Sequence, residues 1–163
     1  MDIRVGKITK AYPNPNSEKL YNEEIDMGNG ELRTIASGLQ KHITLENMQG
    51  AMVVVLCNLK PRTLAEYVSQ GMVLCAQPAD ASKIEFLSPP AGSQPGDIVT
   101  FEGYERKPLD VLPSKKSPWD DVKAGFITNG DKVGCYRNPE GKELSFTTTH
   151  GVCSAATVAN GIV

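Results

Sequence analysis

The residues that could carry out catalysis are few and scattered. Only two histidines occur, His42 and His150, and neither has a second ligand at metal-binding spacing or a nucleophile in a catalytic motif. The chain has no GxxxxGK(S/T) phosphate loop and no GxGxxG fingerprint, and Gly28-Asn29-Gly30 is better explained as a turn. The sequence therefore favours a binding protein over an enzyme, and it predicts no cofactor and no metal site.

Paired carboxylates and cysteines also have simple structural interpretations. Glu23-Glu24 and Asp120-Asp121 fit a strand face and a helix start better than a general acid and base. The cysteines lie far apart, form no CxxC pair and sit in apolar stretches, so we expect buried structural thiols. Zinc binding or a disulfide are the alternatives. The four are Cys57, Cys75, Cys135 and Cys153.

Basic side chains offer a different chemistry, the binding of phosphates. They are interleaved with hydrogen-bond donors such as Asn58 and Ser69, and they lie at Arg4, Lys7, Lys10, Arg33, Lys41, Lys60, Arg62 and Lys83. Phosphate contacts supply most nucleic-acid affinity whatever the base sequence, so a fold that gathers these groups on one face would bind RNA. The alternative is scattered charge on a solvated surface, and spacing does not decide between the two.

The bulk composition restricts how RNA could be attracted. The chain has 163 residues, with 17 basic and 19 acidic side chains and a formal net charge of −2. The net field therefore cannot attract a polyanion, and any affinity must come from a local patch. No apolar run approaches the about 18 residues needed to cross a bilayer, and the first residues lack the layout of a signal peptide. We expect a cytosolic globular protein that does not enter a membrane.

Apolar alternation and turn residues predict a mainly β fold. Residues 2–10 read as a strand with a bulge near Gly6, and Tyr21, Glu23, Ile25 and Met27 alternate in a second strand. Asn29-Gly30 is a strong hairpin signal that leads into a third strand at residues 32–37. Further strands are predicted at residues 52–56, 72–76, 84–87 and 98–101, with a helical turn at 45–48. Many short strands separated by Gly and Pro favour a barrel or sandwich.

The pattern of residue types changes near residue 107, where we expect a boundary between two parts of the chain. Ser117 can cap a helix, Pro118 suits its first position, and Asp120-Asp121 suit the positive end of its dipole. Residues 132–137 and 143–147 read as strands joined by a turn at 138–141. The part beyond residue 107 is therefore predicted to mix helix and strand.

Four segments within residues 2–74 resemble a known family. They are Asp2-Ile3-Arg4-Val5-Gly6-Lys7-Ile8, Ala36-Ser37-Gly38-Leu39, Cys57-Asn58-Leu59-Lys60-Pro61 and Ser69-Gln70-Gly71-Met72-Val73-Leu74. In this order they closely resemble the tRNA-binding domain family of stand-alone tRNA-binding proteins and of C-terminal extensions on methionyl-, tyrosyl- and lysyl-tRNA synthetases. The similarity extends over nearly the whole chain to the eukaryotic branch, of the endothelial monocyte-activating polypeptide II type, through Ser88-Pro89-Pro90, Pro95-Gly96-Asp97, Lys115-Lys116-Ser117-Pro118-Trp119 and Gly151-Val152-Cys153.

The resemblance implies a fold, a function and partners. It implies a five-stranded oligonucleotide-binding (OB) barrel in residues 1–107 and an appended small α+β subdomain in residues 108–163. That subdomain would imitate the dimer interface of bacterial relatives, so that the chain acts as a monomer. The implied function is non-catalytic tRNA binding in the cytoplasm, in a chain appended to or associated with an aminoacyl-tRNA synthetase. The resemblance does not identify which synthetase.

The resemblance also implies a binding surface. Its motif residues are Ser37, Asn58, Lys60, Ser69 and Met72, with electrostatic support from Lys7, Lys41, Arg62, Lys83, Lys115 and Lys116. In this interpretation Asn58 and the serines donate hydrogen bonds to phosphate or ribose, and Lys60 supplies charge. The alternatives are core filling for Met72 and a solvated loop position for Lys60.

Three departures from the family pattern predict weaker RNA binding. Thr63-Leu64-Ala65-Glu66 stands where the family has a basic stretch, so a carboxylate replaces positive charge. Asn14-Pro15-Asn16-Ser17-Glu18 replaces an early His-Pro-x-Ala-Asp pattern, and Ser154 stands where relatives often have arginine. Each lost phosphate contact would reduce the salt dependence of binding by about one unit of slope.

A second function from another class remains open at this point. Relatives released from synthetases act as cytokine-like polypeptides, and the family's proposed cytokine segment corresponds here to Arg4-Val5-Gly6-Lys7-Ile8-Thr9. The excess of acidic over basic side chains favours a signalling or protein-interaction module. This alternative implies secretion after proteolytic release.

Overall fold

The computed structural model describes residues 1–163 and is mainly β. Its strands, in chain order, are β1 (Ile3–Pro13), β2 (Tyr21–Asp26), β3 (Leu32–Ser37), β4 (Met52–Leu56), β5 (Arg62–Leu64), β6 (Tyr67–Ser69), β7 (Met72–Val73), β8 (Cys75–Ala76), β9 (Glu85–Phe86), β10 (Phe126–Thr128), β11 (Gly134–Arg137), β12 (Glu143–Ser145), β13 (Thr147–Thr148) and β14 (Gly151–Val152). The helices are α1 (Leu45–Met48), α2 (Pro118–Val122) and a 3-10 helix at Lys123–Gly125. None of these helices has the length and apolar character needed to span a bilayer.

Five strands form an antiparallel barrel in the order β3-β2-β1-β4-β7. Its two end strands are drawn together by residues just before β7. The Gln70 N–H donates to the Thr34 carbonyl at 2.8 Å, and the Thr34 N–H donates to Gln70 Oε1 at 3.0 Å. These bonds nearly close the sheet, so few backbone groups are left at its edges. The predicted five-stranded OB barrel is confirmed.

Strand β1 is long enough to pair with β2 on one side and β4 on the other. Its register with β2 shifts between Ile8 and Lys10, so the predicted bulge near Gly6 was placed too early. Gly6 has a different role, because an added Cβ would lie 2.6 Å from Ile25 Cγ2 and 2.9 Å from Met27 Sδ. The glycine therefore permits close packing over β1 of Ile25, in β2, and of Met27, which directly follows β2.

Strand β4 separates two hydrophobic cores. Val53, Val55 and the following Cys57 face the barrel interior, where they pack with residues such as Ile25 and Ile35. Val54 and Leu56 alternate onto the opposite side and join a second core, which also contains Ile3, Leu74, Leu87, Val99, Leu112, Phe126, Phe146 and Cys153. Burial on both faces explains why this strand reads as an uninterrupted apolar run.

The C-terminal region supplies the other half of the second core. Phe146 is fully buried, and its ring meets Phe101 edge-on at 4.8 Å and Phe126 at 5.0 Å between centroids. Trp119 packs against Phe126 from α2. The two parts on either side of residue 107 therefore share a core, and their separation into two domains stays a prediction.

Two predictions for the C-terminal half can be compared directly with the fold. Helix α2 begins where predicted, and Ser117 Oγ accepts a hydrogen bond from the Trp119 N–H at 3.3 Å. The strand predicted at 98–101 was wrong, because that segment makes only isolated bridges, from Ile98 to Arg4 and from Thr100 to Thr147. These bridges link β1 to the C-terminal region through one irregular segment.

The shared core predicts that both parts unfold together. Phe146→Ala should destabilise the chain by about 3–5 kcal/mol, because it removes a fully buried ring. Urea unfolding followed by circular dichroism reports the whole β structure, and fluorescence of the single tryptophan reports the C-terminal region. We expect coincident transitions that shift together in the variant.

Val152→Ala is the control, because this side chain is exposed. Separate transitions by the two probes in the wild type, or a Phe146→Ala transition that shifts only the tryptophan signal, would contradict a shared core.

Candidate nucleic-acid interface

Several of the predicted binding residues lie together beside the β5–β6 hairpin. Arg62 and Ser69 are paired across that hairpin, and Ser69 Oγ accepts a hydrogen bond from the Ala36 N–H at 3.1 Å, which places Ser37 alongside. Met72 pairs with Leu56 at the end of β4, just before the loop that carries Asn58 and Lys60. We call this surface the hairpin face: Ser37, Asn58, Lys60, Arg62, Ser69 and Met72.

The other predicted cations lie outside the hairpin face. Lys7 is in the middle of β1, opposite Asp26, and Lys41 follows β3 in the loop that leads to α1. Lys83 donates a hydrogen bond to Thr157 near the C-terminus. Lys115 and Lys116 are exposed in the segment that precedes α2. The structure therefore does not gather all of the predicted basic groups into one patch.

The two serines of the hairpin face use their hydroxyl hydrogens within the chain. Ser37 Oγ donates to Glu23 Oε2 at 2.8 Å, and Ser69 Oγ donates to the Gly71 carbonyl at 3.2 Å. Met72 is half-buried and packs against the second core, which agrees with the core-filling alternative. The predicted donation from these serines to phosphate or ribose stays a prediction, and it would require the internal bonds to be exchanged.

Asn58 is almost fully buried and joins three parts of the chain. Its Oδ1 accepts from the Asp2 N–H at 2.9 Å, and its Nδ2 donates to the Leu109 carbonyl at 2.8 Å. Its own carbonyl accepts from the Leu112 N–H at 2.6 Å. In this state the side chain positions the N-terminus and the segment after residue 107, and its predicted role as an RNA donor stays a prediction.

Lys60 and Arg62 are the free cations of the hairpin face. Both are exposed, and neither makes an ion pair or a side-chain hydrogen bond. A long cationic side chain on the surface can pair with a phosphate without first breaking an internal bond. These two residues therefore provide the electrostatic attraction of this face.

Arg4 and Arg33 are neutralised inside a network of acids. Arg4 binds Asp2 at 2.6 Å and Glu31 at 3.1 Å, and Arg33 binds Glu31 at 2.9 Å. Arg106 also contacts Asp2. Burial alone would raise the pKa of Asp2, but the hydrogen bonds and charges of Arg4 and Arg106 outweigh it and hold that pKa below its ordinary value. These arginines serve the fold, and they are not free for RNA.

The β5–β6 turn is strained and carries a carboxylate. Ala65 and Glu66 both have positive φ, 45° and 67°, which residues with a Cβ rarely adopt. Glu66 Oε2 accepts a hydrogen bond from Asn16 Nδ2 at 2.9 Å, which ties this turn to the loop between β1 and β2. Negative charge therefore stands at the tip of the hairpin that carries Arg62.

A buried glutamic acid side chain lies beneath the hairpin face. Glu23 is fully buried, and its Oε1 has no hydrogen-bond partner. Burial raises the pKa of Glu23 to about 8. The hydrogen bond from Ser37 lowers that pKa, but its effect is smaller than that of burial. The alternation with Tyr21 and Ile25 was the signal that this acid points into the barrel.

The predicted burial of the thiols is confirmed for three of the four. Cys57, Cys135 and Cys153 are buried, and Cys75 is partly buried. Burial raises the pKa of Cys57 to about 11, and those of Cys75 and Cys153 to about 12. Thiols held this far into the protonated form are poor nucleophiles.

The segment predicted to be cytokine-like forms the central part of β1. Val5, Gly6 and Ile8 are buried there, Arg4 is held in ion pairs, and Lys7 and Thr9 are exposed, so the segment Arg4-Val5-Gly6-Lys7-Ile8-Thr9 is not a continuous surface epitope. While the barrel is folded, a receptor could contact Lys7, Thr9 and the part of Arg4 that remains exposed beside its ion pairs. The cytokine-like function stays a prediction.

Comparisons with known proteins agree with the barrel fold. A family described as "Putative tRNA binding domain" matches residues 3–98. The C-terminal domain of p43 from Plasmodium vivax has the same fold, with a TM-score of 0.88 and 26% identity over 99% of this chain and 94% of that one. A MetRS-related protein from Pyrococcus horikoshii is 31% identical, with a TM-score of 0.57 over 61% of this chain and 89% of that one.

Longer proteins contain a region similar to this chain. The cytoplasmic methionine–tRNA ligase of Arabidopsis thaliana is 48% identical over all of this chain, which corresponds to 20% of the ligase. The aminoacyl tRNA synthase complex-interacting multifunctional protein 1 of Mus musculus is 41% identical over 98% of this chain and 50% of its own length. The chain thus spans between a fifth and a half of these two relatives.

Glu23 makes the stability of the fold depend on pH. Its pKa is raised from 4.5 to about 8 on folding, so the folded state favours the protonated form. As pH rises between these two values, the wild type should lose up to about 1.4 kcal/mol per pH unit relative to Glu23→Gln. Urea unfolding at pH 5, 6.5 and 8 should show a growing advantage of the glutamine variant.

Glu140→Gln, at an exposed turn, reports the effect of removing one surface carboxylate. A difference between Glu23→Gln and the wild type that stays constant from pH 5 to pH 8 would contradict the burial of an uncompensated carboxyl group.

Proposed function

The chain belongs to the tRNA-binding domain family, and we propose that it binds tRNA through the hairpin face without catalysing a reaction. The observation that carries this proposal is the family match over residues 3–98, which are the residues that build the barrel and the hairpin face. OB barrels bind nucleic acids across one face and through the adjoining loops. The β5–β6 hairpin and the loop between β1 and β2 are two such loops here.

The contacts would be directed mainly to the backbone of the RNA. Lys60 and Arg62 are exposed and free to pair with phosphates, while the serines of the hairpin face are held by internal bonds. Proteins recognise folded RNA largely through its shape and its sugar-phosphate backbone. A chain with a net charge of −2 and few free cations would bind weakly, and its affinity would fall with added salt by about one unit of slope for each phosphate contact.

The biological role we propose is delivery of tRNA to an aminoacyl-tRNA synthetase in the cytoplasm. Similar regions occur in a cytoplasmic methionine–tRNA ligase and in a protein named for its interaction with a synthetase complex. A binding domain linked to a catalytic domain raises the local concentration of the substrate without taking part in the reaction. The chain would act either as an appended domain or as an associated factor.

The two free cations should account for much of the salt dependence. Fluorescence anisotropy of labelled tRNA, measured between about 50 and 200 mM salt, should give a linear relation between log Kd and log salt concentration. Lys60→Ala and Arg62→Ala should each weaken binding and reduce the slope by about one.

Lys142→Ala is the matched control, because Lys142 is an exposed lysine in the C-terminal hairpin and should leave the slope unchanged. The absence of salt-dependent tRNA binding near 50 mM salt would refute the proposed function. Equal effects of Lys60→Ala and Lys142→Ala would refute the hairpin face as the site.

The carboxylate at the hairpin tip should oppose binding. Glu66→Lys removes a negative charge next to the proposed path of the RNA and adds a positive one, so affinity at low salt should rise and the slope should increase by about one. Glu140→Lys makes the same charge change at a remote exposed turn. Equal gains in both variants would show that net charge, and not the position of Glu66, limits the affinity.

A further inference from the structure

A groove lies next to the hairpin face, between β3, the loop after β4 and the segment beyond residue 107. It has a volume of about 280 Å³, and it is lined by Glu31, Leu32, Arg33, Asn58, Gln70 and Asp110, among others. This is slightly below the about 300–1,000 Å³ of sites for drug-sized ligands, so a single ring system is a suitable occupant.

Apolar side chains from two separate parts of the chain line the groove. Leu32, at the start of β3, is 55% exposed, and Val111, in the segment beyond residue 107, is 53% exposed. Leu59 and Pro61 continue the apolar lining on either side of Lys60. A flat ring could lie between these walls while the free lysine remains at the edge.

Asn58 determines the position of the wall that carries Asp110. Its hydrogen bonds to Leu109 and Leu112 hold the chain on both sides of that residue. Leu112 is fully buried in the second core, which anchors the far end of the segment. Asp110 therefore lines the groove from a segment that hydrogen bonds and core packing hold in place.

Two polar groups of the groove have no partner inside the chain. The Gln70 Oε1 accepts from the Thr34 N–H, and this fixes the orientation of the amide because only the oxygen can accept that bond. The Gln70 Nε2 then makes no hydrogen bond, and the Asp110 carboxylate makes neither a hydrogen bond nor an ion pair. The groove thus offers a free donor and a free pair of acceptors.

We propose that this groove binds one extruded guanine base of the RNA. The N1–H and the N2 amino group of guanine would donate to the two oxygens of Asp110, and O6 would accept from Gln70 Nε2. Leu32 and Val111 would cover the faces of the ring, and Lys60 would meet the adjoining phosphate. This inference rests on the proposed function and specifies the base at the edge of that same face.

The donor and acceptor pattern distinguishes guanine from adenine and uracil. Adenine presents an amino group and a bare N1 acceptor on this edge, so only one of its groups could donate to Asp110. Uracil presents one donor between two acceptors, and the second carboxylate oxygen would face a carbonyl. If the groove instead bound a peptide of a partner protein, the chain would show no difference in affinity between RNA bases.

The test compares heptanucleotides that differ at one base. Anisotropy of labelled UUUGUUU, UUUAUUU, UUUUUUU and the inosine-containing equivalent measures the preference directly, since inosine lacks only the N2 amino group. We expect guanine to bind at least about fivefold more tightly than adenine, with inosine between them. Asp110→Asn should bring the ratio of guanine to adenine affinity close to one.

Asp131→Asn is the matched control, because it makes the same change at an exposed carboxylate in the C-terminal region and should leave that ratio unchanged. Circular dichroism verifies the fold of Asp110→Asn. Equal affinity of the wild type for all four oligonucleotides, as expected of a protein-docking groove, overturns the proposal, and so does a guanine preference that survives Asp110→Asn. Salt-dependent tRNA binding together with either result leaves the proposed function standing, whereas loss of all salt-dependent binding overturns both.

Discussion

The structure depends on the burial of both faces of β4. Val53 and Val55 point into the barrel, while Val54 and Leu56 point into a second core that the C-terminal region completes with Phe126, Phe146 and Cys153. If the C-terminal region were absent, the barrel would expose an apolar surface at Val54 and Leu56, which a soluble chain rarely leaves uncovered. The C-terminal region is therefore packed against the barrel through the second core.

This arrangement also sets the shape of the proposed binding surface. Immediately after β4 the chain reaches Asn58, which ties the N-terminus at Asp2 to the segment at Leu109 and Leu112. The loop that follows presents Lys60 and leads into the hairpin with Arg62. Because hydrogen bonds and packing position the backbone on both sides, the two cations are displayed from a rigid support, which reduces the entropy lost on binding.

The electrostatics of the chain explain how an anionic protein could bind RNA and why it would do so weakly. Arg4, Arg33 and Arg106 form ion pairs with Asp2 and Glu31 that stabilise the barrel. What remains on the hairpin face is a small number of free cations opposed by Glu66 at the hairpin tip. Binding of this kind is local and strongly screened by salt. A specific base contact would add selectivity that phosphate contacts lack.

Local signals in the sequence predicted much of the fold. Alternation and the Asn29-Gly30 turn located β1 to β3, Ser117 marked the start of α2, and the motif resemblance predicted the OB barrel. The β5–β6 hairpin was missed because Ala65 and Glu66 occupy a turn that normally contains glycine or asparagine. The partners of Asn58 could not be predicted either, since Leu109 lies 51 residues away and only the packed second core brings it close.

The most direct test of tRNA binding at the hairpin face is a map of the contact surface. Amide chemical shifts of isotope-labelled chain, recorded with increasing unlabelled tRNA at low salt, report which residues sense the RNA. We predict that the largest changes and broadening occur in residues 58–70, with smaller effects at residues 109–112. Changes centred on Lys7, Lys41 or Lys83, with residues 58–70 unaffected, would contradict it.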